Sequence, residues 1–298
     1  MTESRQPSTE GAGTGPGLIY RPAEAQEDDL LSRILCNAFL PLWNHNWFHG
    51  VSHPLEPVTV GTVDSNPPMS RLQRSRVRFY LGLIKVTRLI GGIVLVAEVP
   101  PTATGTATAA NSADATRATR DIGAILLWLP PSKRLGGLDI PTLWRSGLLS
   151  LMLPWHYGLT GFYRIDLVFE ENIAKMWART LPDLPPQGFK ESDCGFVQMI
   201  ARNPKYARKG YASGLLKYQM DQHFAEFPDR PVLLDTTTLE GIRAYERLGF
   251  KLLAETPVDT GTDAGGMKLT KDASEEVKKE AQEICVQRVM ARLPGGDF

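Results

Sequence analysis

The chain has 298 residues, with 33 Lys+Arg against 33 Asp+Glu, a formal charge of +0, 42% hydrophobic and 22% charged residues. This composition excludes a wholly disordered chain. Balanced charge argues against a general nucleic-acid binder, which needs clustered basic surface, and no apolar run approaches the roughly 20 residues that span a bilayer.

Residues 1–16 are Gly, Ser, Thr, Pro and charge, and are read as a disordered tail. They lack the apolar core of a secretory signal, so a cytoplasmic protein without membrane or nucleic-acid partners is expected. GLIYRPA at 17–23 predicts a short strand, and Leu30, Leu31, Ile34, Leu35 and Phe39 place one helical face over 27–39. Residues 41–68 are aromatic and punctuated by proline, whereas 71–88 suit a helix with basic flanks. IGGIVLVAEV (90–99) and DIGAILLWL (121–129) are two apolar strands joined by a low-complexity insertion at 100–121. Helical patterns cover about 140–152 and 160–180. A strand (194–202), a helix (208–227), a strand (231–238), a short helix (241–249) and a strand (250–256) follow. Residues 272–293 read as an amphipathic C-terminal helix. The alternation predicts an α/β or α+β sheet fold, taken as a single domain over 17–293. Cys36, Cys194 and Cys285 lie far apart in a long chain and read as reduced thiols.

The chemistry concentrates in ARNPKYARKGYASGLL (201–216). Gly210 and Ala212 let backbone amides approach a ligand at a strand-to-helix passage, where a helix N-terminus carries unsatisfied N–H groups. Arg208 and Lys209 add positive charge, so the segment is a pyrophosphate cradle or a solvated basic loop. It is neither the phosphate loop of nucleotide hydrolases nor a dinucleotide fingerprint, because both glycine patterns are absent. His45, His49 and His53 recur every fourth residue, a spacing that three zinc ligands on one helix would need, but Gly50 and Pro54 interrupt that helix. No metal is expected. No G-x-S-x-G elbow supports a serine hydrolase.

Pro204, Gly210, Ala212, Leu215 and Leu216, followed by Tyr245, Glu246, Arg247, Leu248, Gly249 and Phe250, form a two-part pattern. It resembles the GNAT superfamily of acyl-CoA-dependent N-acyltransferases, strongly over 193–256 and more weakly over the opening strand and helix. Three features depart from the family: Ala207 stands where Gln or Arg is usual, Arg208 where the first loop glycine is usual, and the second half lacks the frequent Asn, with Thr237 and Thr238 nearby. The resemblance implies an α+β fold, a mostly antiparallel sheet whose parallel strands four and five splay apart, with helical insertions added. It implies acetyl-CoA as acyl donor and a small-molecule amine as acceptor. Pantetheine would pair with the backbone of Met199, Ile200, Ala201 and Arg202, and pyrophosphate would rest on the loop Ala207, Arg208, Lys209, Gly210, Tyr211, Ala212 and Ser213. Tyr245 would protonate the departing thiolate. Asp235 is the candidate base, with Glu240, Glu170 and Glu171 as further carboxylates. The aromatics Trp43, Trp47, Phe48, Trp155 and Tyr157 either line the acceptor pocket or pack the insertions onto the sheet. The alternative reading is a catalytically silent protein of this fold that binds CoA or a metabolite.

Overall fold

The computed structural model describes residues 11–12, 18–60, 68–99, 121–135, 139–185, 188–269 and 273–296. The expected insertion at 100–121 lies outside them apart from Asp121, and of the expected tail only Gly11–Ala12 is described. That pair runs antiparallel to Tyr20 and Ile19.

Seven further strands complete one sheet: β1 (Ile19–Pro22), β2 (Ile93–Val99), β3 (Asp121–Leu129), β4 (Gly195–Arg202), β5 (Val232–Thr236), β6 (Lys251–Pro257) and β7 (Val286–Arg292). Their order is β1-β2-β3-β4-β5-β7-β6, and every neighbouring pair is antiparallel except β4 with β5. This is the mixed, mostly antiparallel α+β sheet that the motifs imply.

Helices cover both faces, which is why β3 is a continuous apolar run rather than an alternating one. Leu126 and Trp128 pack with Leu215, Leu216 and Met220 of α7 (Tyr211–Glu226) and Ile242 of α8 (Leu239–Glu246). Ile125 and Leu127 point the other way, as alternate residues of a strand must. They meet Leu31 and Ile34 of α1 (Asp28–Ala38) and Val77, Tyr80 and Ile84 of α3 (Arg71–Leu89). A third cluster joins Trp43 and Trp47 of α2 (Trp43–Phe48) to Ile173, Met176 and Trp177 of α6 (Glu171–Thr180), over Leu233 and Val289. Between β3 and β4 run α4 (Ile140–Ser146), α5 (Gly158–Phe162) and a π-helical turn, Tyr163–Glu170, that leads directly into α6.

The C-terminal segment corrects the sequence expectation. Only Glu275–Ile284 is helical (α9), and Val286–Arg292 is the buried strand β7 between β5 and β6. Val289, which the spacing puts on the helical face with Val277, Ala281, Ile284 and Leu293, is buried together with Val286, and such β-branched side chains favour a packed strand once tertiary partners exist on both edges. Cys36, Cys194 and Cys285 are free and buried. No helix among the described residues is long and apolar enough to cross a membrane.

Candidate active site

The parallel pair β4/β5 is short. Gly195, Phe196 and Val197 align with Val232, Leu233 and Leu234, and the pairing ends there. On its other edge β4 stays paired with β3 to Arg202, but the register jumps between Leu127↔Met199 and Trp128↔Val197. Gln198 is therefore the extra residue of a β-bulge, which bends a strand and increases its twist. Beyond the bulge, Met199, Ile200, Ala201 and Arg202 leave β5, and a gap opens between the two strands.

One end of that gap is the 203–213 turn. Asn203 anchors it: its Nδ2 donates to the Ile122 carbonyl at 2.7 Å and its N–H to the Gly123 carbonyl at 2.9 Å. Lys205 pairs with Asp121, and the Tyr206 hydroxyl donates to the same carboxylate at 2.8 Å. Gly210, at φ +74°, precedes α7, and no heavy atom lies within 4 Å of where its Cβ would stand. Arg208 is also left-handed, at φ +64°. The backbone thus keeps the conformation that glycine normally supplies, although arginine occupies the position. A non-glycine residue pays roughly 1–2 kcal/mol in that region, against roughly 0.5–1 kcal/mol of extra chain entropy for glycine. Arg208→Gly is accordingly expected to leave stability unchanged or raise it slightly, read from the urea midpoint. A loss above about 1 kcal/mol would mean that the arginine side chain holds the turn. Around it, the amides of Tyr211, Ala212 and Ser213 open the first turn of a 16-residue helix, a positive pole suited to phosphate.

A cavity of about 1410 Å³ runs from this turn through the β4/β5 gap into the helical insertion. Tyr245 lines it, on α8, which Thr238 caps by accepting the Gly241 N–H at 3.0 Å. The ring meets Phe250 edge-on at 5.9 Å. Burial, reinforced by Asp235, raises the phenol well above its ordinary range, so it stays protonated and able to donate. Asp235 lines the same cavity from the end of β5. Burial pushes its carboxyl up to about 7, with Glu191 adding to the shift. Asp235 does not cap the following helix, because Thr238 does.

The same cavity holds a carboxylate that the sequence offered only as a further candidate. Glu170 closes the π-helical turn, anchored where the buried Gln287 Nε2 donates to the Phe169 carbonyl at 3.0 Å. Glu170 is accessible where it lines the cavity, and desolvation by the enclosing protein, then Asp235, Asp166 and Glu191, push its carboxyl up to about 8. Asp166, one turn earlier, is raised to about 6 by burial. Four acids with raised carboxyls therefore line one cavity. Asp166 escapes a sequence reading because a π-turn spaces side chains off the 3.6-residue period, and Glu191 because it sits on a short 3-10 turn, Glu191–Asp193, with no motif around it. Glu171 and Glu240 also line the cavity, but Glu171 pairs with Lys175 at 2.7 Å and Glu240 is exposed, 3.9 Å from Arg202.

Raised carboxyls have a consequence for stability. Their folded pKa exceeds the unfolded value of about 4, so the folded state binds more protons between the two values and loses stability as pH rises through them. The melting temperature is expected to decline from about pH 5 to about pH 8, and Glu170→Gln to flatten that decline. An identical slope in the variant would show that Glu170 is not the group responsible.

The histidines do not converge. His45 accepts or donates to the Tyr80 hydroxyl at 3.0 Å, and His49 sits edge-on between Phe79 and Tyr157. Burial and Arg76 lower both imidazoles, which stay neutral. His53 is exposed beside Ser52. Among the described residues no group of three or more His, Cys, Asp or Glu could hold a metal ion. Of the aromatics, Trp43 and Trp47 pack in the core, Phe48 and Tyr157 line the cavity, and Trp155 is exposed.

A bulged β4, a parallel partner that parts from it, and a left-handed turn into α7 at the mouth of the gap decide the architecture. The chain has the GNAT fold. No family model and no curated protein matches the sequence. Solved structures do. Arylalkylamine N-acetyltransferase 2 from Aedes aegypti is 14% identical, with 94% of this chain and 100% of that chain covered at a TM-score of 0.48. A polyamine N-acetyltransferase from Drosophila melanogaster is 15% identical over 93% and 99%, at 0.47. A GNAT-family acetyltransferase from Streptococcus pneumoniae is 13% identical over 93% and 99%, at 0.36. These likenesses are too distant to bear on substrate or activity.

Proposed function

We propose that the chain is an acyl-CoA-dependent N-acyltransferase of the cytoplasm, with acetyl-CoA as donor and a small molecule bearing an amine as acceptor. The observation that carries this reading is the β4/β5 gap, which joins a phosphate-suited turn to a cavity lined by carboxyls. Amides of Arg208 to Ser213 receive the pyrophosphate, and the backbone of Met199 to Arg202 pairs with the pantetheine. The cavity's carboxyls collect an ammonium ion, and Asp235 takes its proton, directly or through a water. The free amine attacks the thioester carbonyl, and a β4 backbone N–H stabilises the oxyanion. As the C–S bond breaks, Tyr245 donates its proton to the thiolate and recovers one from the nitrogen of the tetrahedral intermediate, so the products are a neutral amide and CoA.

Cofactor binding is tested through Gly210. CoA at 100 times its Kd should stabilise the wild type by about 2.7 kcal/mol in a thermal-shift titration. Gly210→Val leaves packing untouched, because nothing lies near the new Cβ, but it places a β-branched residue at φ +74° and fills the approach to the amides. That variant should lose most of the shift. No shift in the wild type, or an equal shift in both, would contradict the assignment.

A further inference from the structure

The segment between β3 and β4 carries an outward apolar surface that meets the cavity only at Ile140 and Leu167. Among the described residues twelve large hydrophobic side chains are exposed, and seven of them fall within 140–167. Trp144 is 75% exposed and Trp155 58%. Leu159, Tyr163 and Leu167, all exposed, recur every fourth residue along the α5 and π-helical stretch and so share one side of it. Ile140 and Leu167 also line the cavity, so the outer face continues into its wall. So many exposed large apolar side chains within one segment of 28 residues are the kind of exposure that marks a partner surface.

Charge identifies the partner. Arg71, Arg74 and Arg78 lie on one side of α3 and are exposed. Arg71 donates to the Trp155 carbonyl at 2.6 Å, Arg78 lies 3.1 Å from His156 Nε2, and all three arginines depress the His156 imidazole, so the row adjoins Trp155. None of the three pairs with an acid among the described residues. The acids of the segment are engaged elsewhere: Asp166 and Glu170 line the cavity, and Asp139 caps α4 by accepting from Thr142 N–H at 3.2 Å. A two-fold contact with a second copy would bring this cationic row close to itself. An exposed tryptophan, Trp155, beside arginines that no acid among the described residues neutralises suits instead the interface of an anionic bilayer. We propose that the 140–167 face, with Arg71, Arg74 and Arg78, docks on an anionic phospholipid surface. Trp144 and Trp155 enter the headgroup layer and the arginines lie over lipid phosphates. A peripheral face of this kind needs no spanning segment.

Vesicle sedimentation tests the proposal independently of any acyl transfer. The full chain should sediment with vesicles of phosphatidylcholine and phosphatidylserine, far less with phosphatidylcholine alone, and be released by high salt. Trp144→Ser with Trp155→Ser should weaken partitioning by about tenfold or more, with an unchanged circular dichroism spectrum because both rings are exposed. Arg74→Glu with Arg78→Glu should abolish the preference for phosphatidylserine. Brominated lipids should quench tryptophan emission in the wild type and much less in the tryptophan variant. A wild type that stays in the supernatant with every vesicle would overturn the proposal, as would partitioning that both double variants leave unchanged. Dimerisation that the tryptophan variant abolishes, without vesicle binding, would assign the face to a second copy instead.

Discussion

Asp235→Asn is expected to lower kcat by about 10²–10⁴-fold at neutral pH, the usual worth of a general base. The pH profile distinguishes this from a packing effect. Burial and Glu191 raise the Asp235 carboxyl to about 7, so in the wild type the base is protonated and lost as pH falls through that value. The kcat/KM profile should therefore carry an acidic limb near neutrality. In the variant that limb should disappear, and the rate should climb towards the pKa of the free amine, because only amine already deprotonated in solution can react. Glu170 lines the same cavity as Asp235 and is raised further, to about 8, which leaves it the proton-holding member of the two at neutral pH. A variant with a full acidic limb and near wild-type rate would move the role of base from Asp235 to Glu170.

Tyr245→Phe should lower kcat within the same range of about 10²–10⁴-fold while the KM for acetyl-CoA moves little. The substitution removes one oxygen and keeps the ring against Phe250. Because burial raises the phenol, the donor persists across the working pH range, and the loss should be nearly independent of pH, unlike that of Asp235→Asn. CoA thiolate is a fair leaving group, which favours the lower end of the range. A change under about threefold in a folded variant would make Tyr245 a packing residue and hand the proton to another group or to water.

The part of the site that sequence revealed is the part built from local geometry. Gly210 before α7 and the Tyr245–Phe250 box are short-range features whose residues make their own turn and cap. The structure places both on the same cavity. Arg208 shows why a motif departure need not break a fold: the turn is held from outside, by Asn203 on β3 and by Lys205 and Tyr206 on Asp121, so its left-handed backbone survives the loss of glycine. Elements that depend on distant partners were less legible. Val286–Arg292 became a strand because β5 and β6 offered two open edges. The Asp166–Glu170 wall depends on a π-helical turn pinned by Gln287 from more than a hundred residues away. The histidine spacing suggested a shared face, yet α2 ends at Phe48 and Gly50 turns the chain at φ +62°, with His45 and His49 buried among aromatic rings.

The most direct measurement is thiol release from acetyl-CoA across a panel of primary amines, with the product followed by mass spectrometry. The wild type should release CoA only when a suitable amine is present and form the matching acetylated amine in equal amount, and Asp235→Asn and Tyr245→Phe should each reduce both signals together. A protein that binds CoA yet releases no thiol above the blank with any amine would contradict acyl transfer and leave a CoA-binding protein of the same fold.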